Sequence, residues 1–100
     1  MKNLIFVDVE AAGPCPSLGK MTEFGAVHGG SDATFHGMGP YKDCADRFKT
    51  WLEMCVPNGV RPIFVSDNPA FDWQWMNDFL WKHLNENPFG HSARRISDFY

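Results

Sequence analysis

The chain has 100 residues, with nine Lys+Arg against twelve Asp+Glu and a net charge of −3, which bounds it at one domain with a single modest core. Hydrophobic residues make up 44% and aromatics 15%, a composition that excludes wholesale disorder. The acidic balance argues against a protein that grips long duplexes by neutralising phosphates, and is compatible with one that offsets its carboxylates with cations. Cys15, Cys44 and Cys55 are too few, too scattered and odd in number for a disulfide framework, so a reducing, cytoplasmic setting is expected. No apolar run reaches membrane-spanning length. The short stretch after Met1-Lys2 is bounded by acids, so it reads as a strand rather than a signal peptide, and no membrane partner is expected.

In chain order, Leu4-Ile5-Phe6-Val7 is a compact apolar run that ends in Asp8-Val9-Glu10. Its β-branched and aromatic content predicts a buried central strand. Gly13 to Ser17 is a loop by composition. Met21 to His28 predicts a second strand, Gly29 to Asp32 a hairpin turn, and Ala33 to Met38 a third strand. From Asp43 to Cys55 the positions Cys44, Phe48, Trp51, Leu52 and Cys55 recur at helical spacing. Pro62 to Val65 predicts another buried strand. Asn68-Pro69 predicts a helix start, with Asn68 as a side-chain N-cap and proline at the first helical position, and the helix is expected to run to Leu84. His91 to Ile96 predicts a last short strand, and Asp98-Phe99-Tyr100 the opening of a further element. The order β-β-β-α-β-α-β belongs to an α/β (α+β) fold with a mixed sheet.

Asp8 and Glu10 are two apart on a strand, so their side chains project from one face. Acidic pairs at this spacing are common; the informative part is that a buried apolar strand ends in two carboxylates on one side. Like charges that close repel unless a cation or proton lies between them, and hard oxygen ligands suit Mg²⁺ or Mn²⁺. A solvated strand end is the plain alternative. On the second helix the apolar stripe is Phe71, Trp75, Met76, Phe79 and Leu80, and Asp72 falls inside it, in the row Asp72, Met76, Phe79, His83. A carboxylate that faces a core is costly unless paired or coordinated, although a first-turn acid is also favoured by the helix dipole. His83 reads as a satisfied core histidine. No zinc pattern exists, since there is no C-x-x-C and Cys44 and Cys55 lie on an amphipathic helix face. Trp73 and Trp81 lie off the apolar row, where partial burial competes with base stacking. Arg94-Arg95 reads as a solvated segment.

Phe6-Val7-Asp8-Val9-Glu10-Ala11-Ala12-Gly13 resembles the first exonuclease motif of the DnaQ-like (DEDD) superfamily, a D-x-E at the end of the first strand followed by a glycine-containing loop. Thr22 to Val27 resembles that family's second strand. Asn68-Pro69-Ala70-Phe71-Asp72 resembles its second motif, in which N-x-x-F-D opens a helix. The style is that of the small bacterial 3′–5′ exoribonuclease-like branch, echoed again by Asn87 to His91. The resemblance implies a ribonuclease H-like mixed sheet flanked by helices, and a metal-dependent 3′–5′ exonuclease that trims single-stranded RNA or DNA ends. It implies Asp8, Glu10 and Asp72 as catalytic, metal-binding carboxylates for two Mg²⁺ or Mn²⁺ ions. It also implies that Ala11, Gly13 and Asn68 border the substrate, and it is compatible with a homodimer. The family's third motif, a His or Tyr followed by a final Asp, has no counterpart after Asp72: His91 and Asp98 are seven apart and come too early. Residues 1–100 are therefore expected to be one exonuclease-like domain lacking its C-terminal part. The alternative is a catalytically incomplete module that keeps the fold and binds nucleic acid or protein.

Overall fold

The computed structural model describes residues 2–99; of Asp98-Phe99-Tyr100, where a further element was expected to open, Tyr100 lies outside them. The elements are β1 (Leu4–Ala12), β2 (Lys20–His28), β3 (Thr34–Met38), α1 (Lys42–Cys55), β4 (Ile63–Ser66), α2 (Pro69–Leu84) and β5 (Ala93–Arg95), followed by a 3₁₀ turn, Ile96–Phe99. The strands form one sheet in the order β3-β2-β1-β4-β5. β1 is antiparallel to β2 and parallel to β4, and β5 continues the parallel half. The mixed α/β sheet inferred from the sequence is present, with β1 at the junction of its two halves.

Alternation along each strand decides what each face carries. Ile5, Val7 and Val9 of β1 point inward with Phe24 and Ala26 of β2. Phe48 and Leu52 from α1, with Trp75, Met76, Phe79 and Leu80 from α2, complete the same core. Both helices therefore cover one face of the sheet. Phe24 is the hub: its ring lies 5.6, 5.1 and 5.7 Å from those of Phe35, Phe48 and Phe79. Aromatic pairs in such stacked and edge-on arrangements contribute about 0.5–1.5 kcal/mol each beyond area burial. Phe6, Asp8 and Glu10 of β1 and Glu23, Gly25 and Val27 of β2 occupy the opposite face, which neither helix covers.

Two expectations about local structure are corrected. Asn68 takes the N-cap position of α2, but its side chain makes no cap hydrogen bond. The backbone does the work instead: the Asn68 carbonyl accepts from Phe71 N–H and Asp72 N–H at 3.0 Å each, and Pro69 has no N–H to satisfy. The last strand is three residues, Ala93–Arg95, and Ile96 has already left it for the 3₁₀ turn. A hydrogen bond from Arg95 N–H to Asp98 Oδ2 at 3.3 Å closes that turn.

Gly37 shows how tightly α1 sits on β3. A Cβ there would lie 2.5 Å from Cys44 Sγ and 2.6 Å from the Phe24 ring. Gly37→Ala is expected to destabilise the protein by about 1–3 kcal/mol through overpacking, measurable as a lower urea midpoint with unchanged slope. The same burial pushes the Cys44 thiol up, which makes it inert rather than reactive.

Candidate active site

The site begins where β1 outruns its parallel neighbour. The last β1–β4 pair is Phe6 with Val65, and β4 ends at Ser66. Asp8, Val9 and Glu10 therefore project beyond the parallel half of the sheet while still pairing with β2. Asp8 lies opposite Gly25 and Glu10 opposite Glu23. Both carboxylates stand on the uncovered face and both are exposed, as expected for residues two apart. Just beyond them the register slips between Glu10 and Ala11, so that Ala11 faces Met21 and Thr22 is bulged out. The Thr22 hydroxyl donates to the Glu10 carbonyl at 3.1 Å. Bulges of this kind re-aim side chains at the rims of sites.

Asp72 approaches the same strand segment from α2. It is 4% exposed, in agreement with its place in the apolar stripe. Its Oδ1 accepts the N–H of Val9, the residue between Asp8 and Glu10, at 3.1 Å. Asp72 thus supplies an acceptor to a β1 amide past the end of the β1–β4 ladder, and ties the first turn of α2 to the carboxylate-bearing end of the strand. Burial raises the Asp72 carboxyl above its ordinary value; the Val9 N–H and the Ser66 hydroxyl oppose this, and the charges of Asp8 and Asp67 reinforce it. The Ser66 hydroxyl and the Trp75 indole N–H are both buried without a partner of hydrogen-bond geometry. Ser66 lies beside Asp72, and Trp75 is one helical turn on.

The structure brings Asp8 and Glu10 side by side and sets Asp72 against the backbone between them, through the Val9 N–H past the end of the β1–β4 ladder. Among the described residues, no three His, Cys, Asp or Glu side chains already converge as a metal cage. An exposed carboxylate pair still suits Mg²⁺, which dehydrates reluctantly, keeps several waters, and binds through one or two carboxylates plus substrate phosphates. The donor set is all hard oxygen, which also suits Mn²⁺. Gly13 has φ +103°, and a Cβ on it would sit 2.6 Å from Gly19 Cα, so the loop from 13 to 19 closes on its own glycines. Ala11 is half-buried at the margin of the core, and Asn68 is exposed.

Two residues absent from the sequence-based list border the pair. Glu23 and His36, joined by a 2.7 Å contact between Oε2 and Nε2, line a cavity of about 220 Å³ with Asp8, Glu10, Phe24 and Gly25. A trough of about 450 Å³, sharing Asp8 and Gly25 as lining residues, extends over Phe6 and Val27 to Ile96 and Asp67. Only strand register could have found them, since Glu23 and His36 are thirteen residues apart. The cavity of about 410 Å³ between the end of α1 and the segment from Pro57 to Pro62 contains none of these residues. His83 is satisfied by the Pro40 carbonyl at 2.7 Å, Trp73 packs edge-on against Phe64, and Arg94 and Arg95 are solvated. No described helix is long and apolar enough to cross a membrane.

No protein-family model matches the chain. It is 29% identical over 125 aligned residues to the 3′–5′ DNA exonuclease Cap18 of Escherichia coli, an alignment that takes in 96% of this chain. The chain spans 66% of the length of that relative. The mixed sheet, and the placement of Asp8 and Glu10 on β1 and of Asp72 on α2, accompany this likeness to a protein named as an exonuclease.

Proposed function

We propose that this chain carries the metal-binding part of a 3′–5′ exonuclease that hydrolyses phosphodiester bonds at single-stranded nucleic-acid ends. The observation that carries the reading is the Asp8–Glu10 pair. It stands exposed on the sheet face that neither helix covers, on the strand segment whose Val9 N–H Asp72 accepts. The name of the Escherichia coli relative supports the same chemistry on DNA.

Asp8 and Glu10 would hold Mg²⁺ or Mn²⁺, Asp8 as the ligand shared between ions and Glu10 as the ligand on the side of the attacking water. Asp72 would support the second ion, directly or through water. The ions supply charge neutralisation at the scissile phosphate and orientation of the attacking water in an in-line displacement. The chain's own contribution is positional. The β1 backbone holds both carboxylates on one face, and the Val9 amide fixes Asp72 while withdrawing one of its oxygens from coordination. Ala11, Gly13 and Asn68 lie around the same end of the strand, where small side chains let a nucleotide approach the backbone.

A 5′-labelled single-stranded oligonucleotide, as DNA and as RNA, tests this. Shortening from the 3′ end that requires Mg²⁺ or Mn²⁺ and disappears in Asp8→Asn is the result this reading expects where the site is complete. The 100 residues alone are expected to cut slowly, because no His-plus-Asp motif follows Asp72. That same observation favours a second reading, a module that binds ends without cutting. Metal-dependent retention of the oligonucleotide at constant length, also in a protein with the relative's full length, would establish it. No cation-dependent binding or cleavage at all would remove both readings.

A further inference from the structure

Ser66 carries a hydroxyl that packing does not call for. It ends β4 after Ile63-Phe64-Val65 and is 0% exposed. Strand alternation puts it on the same face as Phe64, a member of the core that α1 and α2 cover. Its burial is therefore complete within the sheet and the two helices. An alanine would fill almost the same space. The hydroxyl instead brings a desolvation cost, because it has no partner of hydrogen-bond geometry.

Beside it lies Asp72. The turn between them is closed by the Asn68 carbonyl, which accepts from Phe71 N–H and Asp72 N–H, so the start of α2 folds back over the end of β4. Asp72 is itself buried, and its Oδ1 is taken by the Val9 N–H at 3.1 Å. Among the described residues no hydrogen bond engages Oδ2. Val9 stands on β1 and Ser66 on β4, which are neighbours in the sheet, and both face the helices. The Asp72 carboxyl is thus set between a backbone donor on one strand and a hydroxyl on the next. That hydroxyl already acts on it, opposing the upward push of burial.

We propose that Ser66 is a positioning residue for Asp72, its hydroxyl donating to Oδ2 and fixing how the carboxylate is turned toward the Asp8–Glu10 end of β1. This rests on the exonuclease reading, in which Asp72 supports a cation, and deepens it by naming what holds Asp72. A carboxylate oxygen has two lone pairs, so Oδ2 can accept from Ser66 and still face a cation or its water. With Val9 on Oδ1 and Ser66 on Oδ2, the carboxylate is not free to rotate. Outer partners of this kind orient metal-binding side chains, and losing one typically costs about 10–100-fold in metal affinity.

MnCl₂ is the probe, titrated by calorimetry at neutral pH against wild type, Ser66→Ala, Ser66→Thr, Asp72→Asn and the double variant Ser66→Ala with Asp72→Asn. Melting curves in chelator establish that each is folded, and Ser66→Cys, of similar size with a weak donor, replaces the alanine change if that one is not. Wild type binds Mn²⁺. Ser66→Ala melts no lower than wild type in chelator, since the lost hydroxyl had no partner, and binds Mn²⁺ about tenfold more weakly. Ser66→Thr, which retains the hydroxyl, recovers part of the loss. In the Asp72→Asn background, Ser66→Ala changes Mn²⁺ affinity less than twofold, because the group it positions is gone. Mn²⁺ affinity within twofold of wild type in Ser66→Ala, whatever its melting temperature, would overturn the proposal and leave the metal site standing. An equal loss in both backgrounds would overturn it as well, since Ser66 would then not act through Asp72. Failure of wild type to bind Mn²⁺ would bring down the exonuclease reading itself, and this proposal with it.

Discussion

Asp8→Asn is expected to abolish the stabilisation of this protein by Mn²⁺. A cation at a hundredfold excess over its dissociation constant adds about 2.7 kcal/mol to the folded state. For a domain of this size each kcal/mol moves the melting temperature by roughly 4–8 °C, so wild type should gain roughly 10–20 °C. The variant should gain almost nothing, because its amide keeps the shape of the aspartate and loses the charge. Without metal the two proteins should melt alike, within about 0.5 kcal/mol, since Asp8 is exposed and its side chain makes no hydrogen bond or ion pair among the described residues. That combination separates a ligand from a solvated strand end, for which substitution would alter neither melt. On the exonuclease reading, metal-dependent 3′-end cleavage should fall at least a hundredfold in the same variant. Metal ions supply several kcal/mol of transition-state stabilisation, and each 1.36 kcal/mol is tenfold in rate. A full Mn²⁺ shift retained in Asp8→Asn would exclude the pair as the ligand site.

The strands and helices were legible because local signals coincide with tertiary need. Leu4 to Val7 is apolar because β1 lies between β2 and β4, and Phe48 and Leu52 recur at helical spacing because α1 has one face to bury. The Asp8–Glu10 geometry followed from the two-residue period of a strand alone. Asp72 was legible as a carboxylate inside an apolar stripe; its partner was not, since the Val9 amide lies 63 residues away and carries no side-chain signal. The N-cap of α2 misled because Asn before Pro is a strong local pattern, while here the cap is made by the Asn68 carbonyl and its side chain stays exposed. Glu23 and His36 were invisible for a different reason. Nothing in a run of residues tells which side chains meet across three strands until the register is known, and the bulge at Thr22 shifts that register by one.

Asp72 should split into two effects of opposite sign when it is changed in two ways. In Asp72→Ala the buried Val9 N–H loses its acceptor, which costs about 1–3 kcal/mol, and the first turn of α2 loses an anion worth about 0.3–1 kcal/mol. Removing a buried charge returns part of this. The net result should be a clearly less stable protein at neutral pH. In Asp72→Asn the side-chain oxygen can still accept from Val9, so the amide stays satisfied while the charge disappears. Burial holds the Asp72 carboxyl above its ordinary 3.8, with Asp8 and Asp67 pushing the same way. A carboxyl raised in the folded state contributes stability that is full below its unfolded value and is lost as pH rises through the folded value. At neutral pH the wild type therefore carries the penalty of the ionised group, and Asp72→Asn should be equally stable or better, by about 1 kcal/mol, in the manner of active-site residues that trade stability for function. As pH falls below the raised value the wild type protonates, its penalty vanishes, and the gap between the two proteins should close. Mn²⁺ should reverse the order at neutral pH, because a cation compensates the aspartate and has less to bind in the amide. Urea melts of wild type, Asp72→Ala and Asp72→Asn at pH 4 and pH 7, each with chelator and with Mn²⁺, measure all of this. An asparagine variant that is less stable than wild type at pH 7 and responds fully to Mn²⁺ would make Asp72 a helix-terminal anchor with no share in the metal site.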